Sequence, residues 1–285
     1  SVAAQPVAPG HEFGAGSMIF LLQQRVAGEI GRRGQRGRLS ARGLLGQRAE
    51  QLRIGVLGGW FREMAMPEAI AAVDAVQRPR GRRAWIQLGW LYVDSTRLFE
   101  KARDARHHFV PDVRDLAAVE RLLAAGDIAG VFTEVPNNPQ LETADIPALR
   151  ALCDKHGAKL LLDPSSVGLA AVDVLPFADV LVSSLTKYAG SEGDVMAGVL
   201  AVNPTRADAD ALLGFARARL EPLHALDLAA LAAQVGRLTE VTRRLSATAA
   251  EIARRLAAHP SVVRVRTADQ GPTAEAYRRL RRPEA

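Results

Sequence analysis

Between residues 110 and 203, short apolar runs alternate with stretches of helical spacing, and this alternation leaves the chain few folds to choose from. Residues 128–133, 159–163, 178–183 and 195–202 are apolar runs of strand length. Residues 115–125 place Leu116, Val119, Leu122 and Leu123 on one side of a helix. Asp145 reads as the N-cap of a helix reaching Lys155, with Gly157 as its stop. Apolar strands alternating with amphipathic helices form an α/β layer with a mostly parallel sheet flanked by helices.

Outside this region the pattern is looser. Residues 54–57 and 85–88 read as short buried strands, with helical spacing over 67–76 between them. Residues 1–55 form a poorly defined basic segment: an apolar run over 18–22 is followed by a Gly/Arg-rich stretch over 31–38 that favours loop or disorder. Downstream, 207–219 and 225–258 have helical spacing and 262–265 reads as a strand. The expected division is a partial large domain over 56–220, then a long helix and the start of a truncated C-terminal small domain over 221–285.

The formal net charge of +6 arises mostly before residue 60, where Arg25, Arg32, Arg33, Arg36, Arg38, Arg42, Arg48 and Arg53 outnumber Glu12, Glu29 and Glu50. Such a segment can bind nucleic acid or an anionic membrane. No aromatic platform accompanies the arginines, so a solvated surface is the favoured reading. Cys153 is the single cysteine, which excludes an intrachain disulfide, and its apolar-periodic surroundings suit a buried structural thiol. No apolar run spans a membrane and no secretory signal opens the sequence, so the expected compartment is the cytoplasm.

In open α/β sheets, ligands bind at the carboxyl ends of the strands. Three such ends carry polar groups here: the segment from Glu134 to Pro139, Asp163, and the segment from Ser183 to Lys187. Taken singly, each has an ordinary explanation. Asp163 before Pro164 suits a turn carboxylate, Ser184 and Thr186 suit local backbone bonding, Lys187 a surface lysine and Tyr92 a core residue. Their joint order and spacing carries more weight. Lysine is also scarce, confined to Lys101, Lys155, Lys159 and Lys187.

Glu134-Val135-Pro136-Asn137-Asn138-Pro139 resembles the E-T-P-x-N-P motif of the Cys/Met-metabolism pyridoxal-phosphate (PLP) enzymes. Leu160-Leu161-Leu162-Asp163 resembles that family's V-V-D strand. Ser184-Leu185-Thr186-Lys187-Tyr188, followed by Gly193-Asp194-Val195-Met196-Ala197-Gly198, resembles S-x-T-K-Y followed by S-D-V-x-x-G. Leu91-Tyr92-Val93-Asp94-Ser95-Thr96 resembles L-Y-G-G-T, with Val93 and Asp94 in place of the glycines. The family includes cystathionine γ-synthase, cystathionine lyases, methionine γ-lyase and acylhomoserine sulfhydrylases.

The resemblance implies the large domain of the PLP-dependent transferase fold, aspartate aminotransferase type I. It also implies PLP as cofactor, no metal, and γ- or β-replacement or elimination in sulfur amino-acid metabolism. The substrate would be a small amino acid such as a homoserine ester, cystathionine or a cysteine-like compound, and the assembly a homodimer or homotetramer. By residue, Lys187 would form the Schiff base and move protons. Asp163 would pair with the pyridinium nitrogen, where an opposite charge favours the protonated ring. Ser184 and Thr186 would hold the phosphate. Asn138 would bond the ring hydroxyl or the substrate carboxylate. Tyr92 would stack on the ring and assist proton transfer. The family's N-terminal Y-x-R-x-x-x-N-P motif, its S-G-M phosphate loop and its C-terminal substrate-carboxylate arginine find no match. Residues 63–70 stand about where the phosphate loop belongs, and Pro67 there supplies no backbone donor. Two alternatives therefore stand beside the enzyme: a non-catalytic PLP-fold protein, and a nucleic-acid-associated protein acting through the basic N-terminal segment.

Overall fold

The computed structural model describes residues 53–57, 65–101 and 107–283. The apolar run over 18–22 and the Gly/Arg-rich stretch lie outside the described residues. Seven strands form one sheet: β1 (Arg53–Leu57), β2 (Ala84–Leu88), β3 (His107–Val110), β4 (Ile128–Glu134), β5 (Lys159–Asp163), β6 (Val180–Ser184) and β7 (Gly198–Val202), in the spatial order β1-β7-β6-β5-β4-β2-β3. β7 runs antiparallel to both neighbours and every other pairing is parallel. The parallel pairs follow from the helical crossovers: α1 (Met66–Gln77), α2 (Val93–Lys101), α3 (Leu116–Leu123) and α4 (Ile146–His156) each return the chain to the start of the sheet.

Every residue of β2, β4, β5, β6 and β7 is buried, so these strands carry no polar face. Alternate side chains enter two separate cores. Leu160 and Leu162 join Ile86, Val131, Leu149 and Val119 on the side of α3 and α4. Leu161 joins Trp85, Phe132, Val182 and Leu200 on the side of α1 and α5 (Ala209–Arg219). α6 (Ala225–Gln234) adds Leu228 and Leu231 to the first core.

Local chemistry fixes the helix ends. The Asp115 carboxylate accepts from Ala118 N at 2.8 Å to start α3, and Asp145 accepts from Ala148 N at 3.1 Å to start α4. Gly157 closes α4 at φ 69°, a left-handed conformation that a side chain disfavours. At the amino edge of the sheet, buried Asp179 accepts from Arg150 at 2.5 Å and from Leu160 N at 2.8 Å. Lys159 Nζ stands 3.4 Å from Asp179 and 3.0 Å from Asp208 in the same network.

Two readings change. Residues 262–265 are not a strand: Val263 is fully exposed and no described strand pairs with the segment. The helical stretch over 225–258 is two helices, because a 3-10 turn at Val235–Arg237 separates α6 from α7 (Leu238–Ala257). The helical spacing over 67–76 is α1, which opens at Met66, with Pro67 in the first turn where its missing N–H costs the helix nothing. The last described helix, α8 (Ala274–Leu280), buries Tyr277 and Leu280 in the first core. Beyond it Arg281 bridges to Val172 and Arg282 N donates to Ala171 O at 2.8 Å.

Candidate active site

β4, β5 and β6 end side by side on Glu134, Asp163 and Ser184, three buried polar residues at the carboxyl edge. Glu134 and Asp163 are register partners, so their side chains leave the same face of the sheet. Asp163 is fully buried. Its Oδ1 accepts from Ser165 N at 2.8 Å, while Oδ2 has no hydrogen-bond partner among the described residues. Burial pushes the Asp163 carboxyl up to about 6, against the opposing pull of the Ser165 bond and the Lys187 charge. Burial, and then the charge of Asp163, push Glu134 up to about 8. The two carboxyls titrate as a pair, and burial favours the protonated form of each.

Lys187 sits three residues past β6, exposed, on a loop that the surrounding structure fixes at several points. Leu185 N donates to Ala197 O at 2.8 Å, and Gly190 N to Leu185 O at 2.7 Å. Tyr188 donates its hydroxyl to Ser166 O at 2.8 Å, and its ring lies so close to Gly168 that a Cβ there would stand 2.7 Å from it, at φ +83°. Gln234, at the end of α6, donates to Asp194 at 2.7 Å and accepts from Glu192 N at 3.0 Å. The break between α6 and α7 follows directly after this anchor.

The other sequence candidates fall around the same edge. Ser184 is buried with Oγ unpartnered among the described residues, and its N–H donates to Ser165 Oγ at 2.7 Å. Thr186 is half-buried and makes a long contact, 3.4 Å, from Oγ1 to Ala197 O. Tyr92 is exposed between β2 and α2, and its N–H donates to Glu134 Oε1 at 2.6 Å. Asn138 is half-buried. Its neighbour Asn137 is fully buried and braces the loop, accepting from Glu142 N at 2.9 Å. Of the lysines, Lys155 pairs with Glu120 at 2.6 Å and Lys159 lies in the Asp179 network, both away from this edge. The Lys101 side chain lies outside the described atoms. Lys187 is thus the lysine whose charge reaches Asp163.

Sequence reasoning passed over Ser165, which serves Asp163 with its N–H and Ser184 with its hydroxyl, and gave Glu134 no role. Ser165 stands two residues after a strand-end Asp, the spacing of an Asx-turn, and that was the available signal. Cys153 is buried as expected, and burial pushes its thiol up to about 12.

The sequence model of the family described as "Cys/Met metabolism PLP-dependent enzyme" matches residues 69–279. The chain belongs to this family. The L-2-amino-4-chloropent-4-enoate dechlorinase/desaturase of Streptantibioticus cattleyicolor is 42% identical over 193 residues, covering 66% of this chain and 38% of that protein. The cystathionine gamma-synthase-like protein ankD of Aspergillus thermomutatus is 30% identical over 223 residues, 75% of this chain and 40% of its own. Among solved structures, the cystathione gamma lyase CalE6 of Micromonospora echinospora superposes with a TM-score of 0.65 at 22% identity, over 80% of this chain and 59% of that one. The fold is therefore that of the PLP-dependent transferases. The chain spans about two fifths of the length of these curated relatives, as the shares of 38% and 40% state.

PLP is the family's cofactor, and the donor set suits it. A buried carboxylate with one satisfied and one open oxygen matches a protonated ring nitrogen. The open Ser184 hydroxyl and Thr186 match a phosphate at the neighbouring strand end. An exposed lysine on a pinned loop matches an aldehyde. No described helix is long and apolar enough to cross a membrane.

Proposed function

We propose that this chain supplies the cofactor site of an enzyme of sulfur amino-acid metabolism, acting by γ- or β-replacement or elimination as cystathionine γ-synthases and lyases do. The observation that carries the reading is Asp163, buried with one open oxygen and within electrostatic reach of Lys187. PLP, when bound, supplies the electron sink that stabilises negative charge beside the amino group. The protein's residues do the rest. Asp163 keeps the ring nitrogen protonated, Ser184 and Thr186 orient the phosphate, and Tyr92 covers the ring. Asn138 meets the ring hydroxyl or the substrate carboxylate. Lys187 holds the cofactor and carries protons between the substrate's α- and β-carbons.

The substrate class is an α-amino acid with a leaving group on the β- or γ-carbon: a homoserine ester, cystathionine or a cysteine-like compound. The relative at 42% identity is named for a 4-chloro amino acid, and position 4 is the γ-carbon. The assembly is a homodimer or homotetramer in the cytoplasm. Leu245, Ile252 and Leu256, exposed at helical intervals along α7, support burial against another surface. The test is turnover: purified protein with PLP, incubated with cystathionine or an O-acylhomoserine, is expected to release a 2-oxo acid, and Lys187→Ala is not. Bound PLP without turnover on any of these substrates favours the non-catalytic reading.

A further inference from the structure

Lys187 lies on the outgoing arm of a loop whose returning arm leads into β7, and the two arms brace each other. Gly190 N donates to Leu185 O at 2.7 Å, Gly193 N to Gly190 O at 3.3 Å, and Leu185 N to Ala197 O at 2.8 Å. A Cβ on Gly190 would stand 2.8 Å from Val195 Cβ and 3.2 Å from Leu185 O, so the arms pass in close contact there. Whatever holds residues 192–196 therefore bears on the frame from which Lys187 projects. The holder is α6 with the turn that follows it. Asp227, in its first turn, accepts from Met196 N at 3.2 Å. Gln234, its last residue, donates from Nε2 to Asp194 Oδ1 at 2.7 Å and accepts at Oε1 from Glu192 N at 3.0 Å. Arg237 donates to Glu192 Oε1 at 2.6 Å.

Among these contacts Gln234 is the informative one. It is 5% exposed, and an apolar side chain would be cheaper to bury. Its two partners demand opposite roles: a backbone N–H needs an acceptor and a carboxylate needs a donor. A carboxamide carries both at one tip. Glutamate would set charge against charge at Asp194, lysine or arginine could not accept from Glu192 N, and asparagine is one methylene shorter. We infer that Gln234 is a positioning residue for Lys187, tying the returning arm of the lysine loop to the end of α6 so that the amine is presented to the cofactor site from a fixed place. The inference rests on the site proposed above. Gln234 acts through the loop and not by touching the cofactor.

The experiment compares the parent with Gln234→Leu, Asp194→Ala, the double variant and Gln234→Asn. Amide hydrogen exchange in the PLP-free protein reads the tie. Gln234→Leu is expected to lose protection at Glu192 N, its own partner, and also at Gly190 N on the lysine arm. Unchanged protection at Gly190 N overturns the link between the arms. PLP is then added, and visible absorbance follows the Lys187 amine as it adds to the PLP aldehyde with loss of one water. Linkage is expected to slow about tenfold in Gln234→Leu and in Asp194→Ala, with the double variant no slower than the slower single. Single effects that multiply to about a hundredfold in the double variant would be independent, and would overturn action through this bond. Linkage at the parent's rate in Gln234→Leu, with only the melting temperature lowered, makes Gln234 a structural residue and overturns the proposal. If Gln234→Leu does not fold, Gln234→Asn decides on the same two readouts, since it keeps the polar tip but is too short to span both partners. A parent that never links PLP defeats the site assignment, while exchange at Gly190 N still decides whether Gln234 fixes the lysine arm.

Discussion

At the level of single residues, the site depends on a carboxylate that is expensive to bury. Asp163 and Glu134 have folded-state pKa values near 6 and 8, above their ordinary values of 3.8 and 4.5. For acids shifted upward, the folded state keeps its protons longer than the unfolded one. Their favourable contribution is complete below about pH 4, and it is lost as pH rises through about 6 for Asp163 and about 8 for Glu134. Removing the Asp163 charge should therefore stabilise the PLP-free protein while weakening cofactor binding. In thermal melts at pH 8, Asp163→Asn is expected to unfold roughly 2–4 °C above the parent, and the gap should close near pH 4. A lower midpoint at pH 8 would mean that the Asp163 charge is already satisfied within the protein. The sequence showed Asp163, Ser184 and Lys187 because each sits at a strand end inside a motif. It could not show that Ser165 ties the first two together, because that link depends on β5 and β6 being neighbours.

At the level of elements, most strands and helices were readable because burial on both sheet faces leaves long apolar runs and the helix caps are standard side chains. The departures have physical causes. β3 was missed because three of its four residues are only partly covered at the sheet edge, so its sequence lacks an apolar signature. α2, with polar Asp94, Ser95, Thr96 and Arg97 in its first turns, carries few apolar residues to mark it as an element. Val262, Val263 and Val265 have strand propensity but no described neighbour to pair with, and propensity alone does not make a strand. α8 went unread because its arginines dominate the composition, while Tyr277 and Leu280, three apart, make its buried side. That helix is part of the main core and not an appendage. Leu280→Ala is expected to cost about 2–4 kcal/mol, measured by denaturant unfolding, with a single transition retained. A loss below about 0.5 kcal/mol, the usual range for a surface substitution, would place α8 outside the core.

At the level of the whole molecule, a mostly parallel sheet gathers groups from distant parts of the chain at one edge. Tyr92, Glu134, Asp163 and Lys187 come from four successive strand ends, and only the spatial order β6-β5-β4-β2 brings them together. The family match names a PLP-dependent family, and this makes PLP binding the property on which the account depends. The direct test is the visible absorbance of the purified protein and of Lys187→Ala, each with saturating PLP. The account predicts a band from lysine-bound cofactor in the parent that is absent in the variant, while both remain folded. A folded parent without that band, or a Lys187→Ala variant that keeps it, would contradict the assignment of Lys187 and the chemistry built on it.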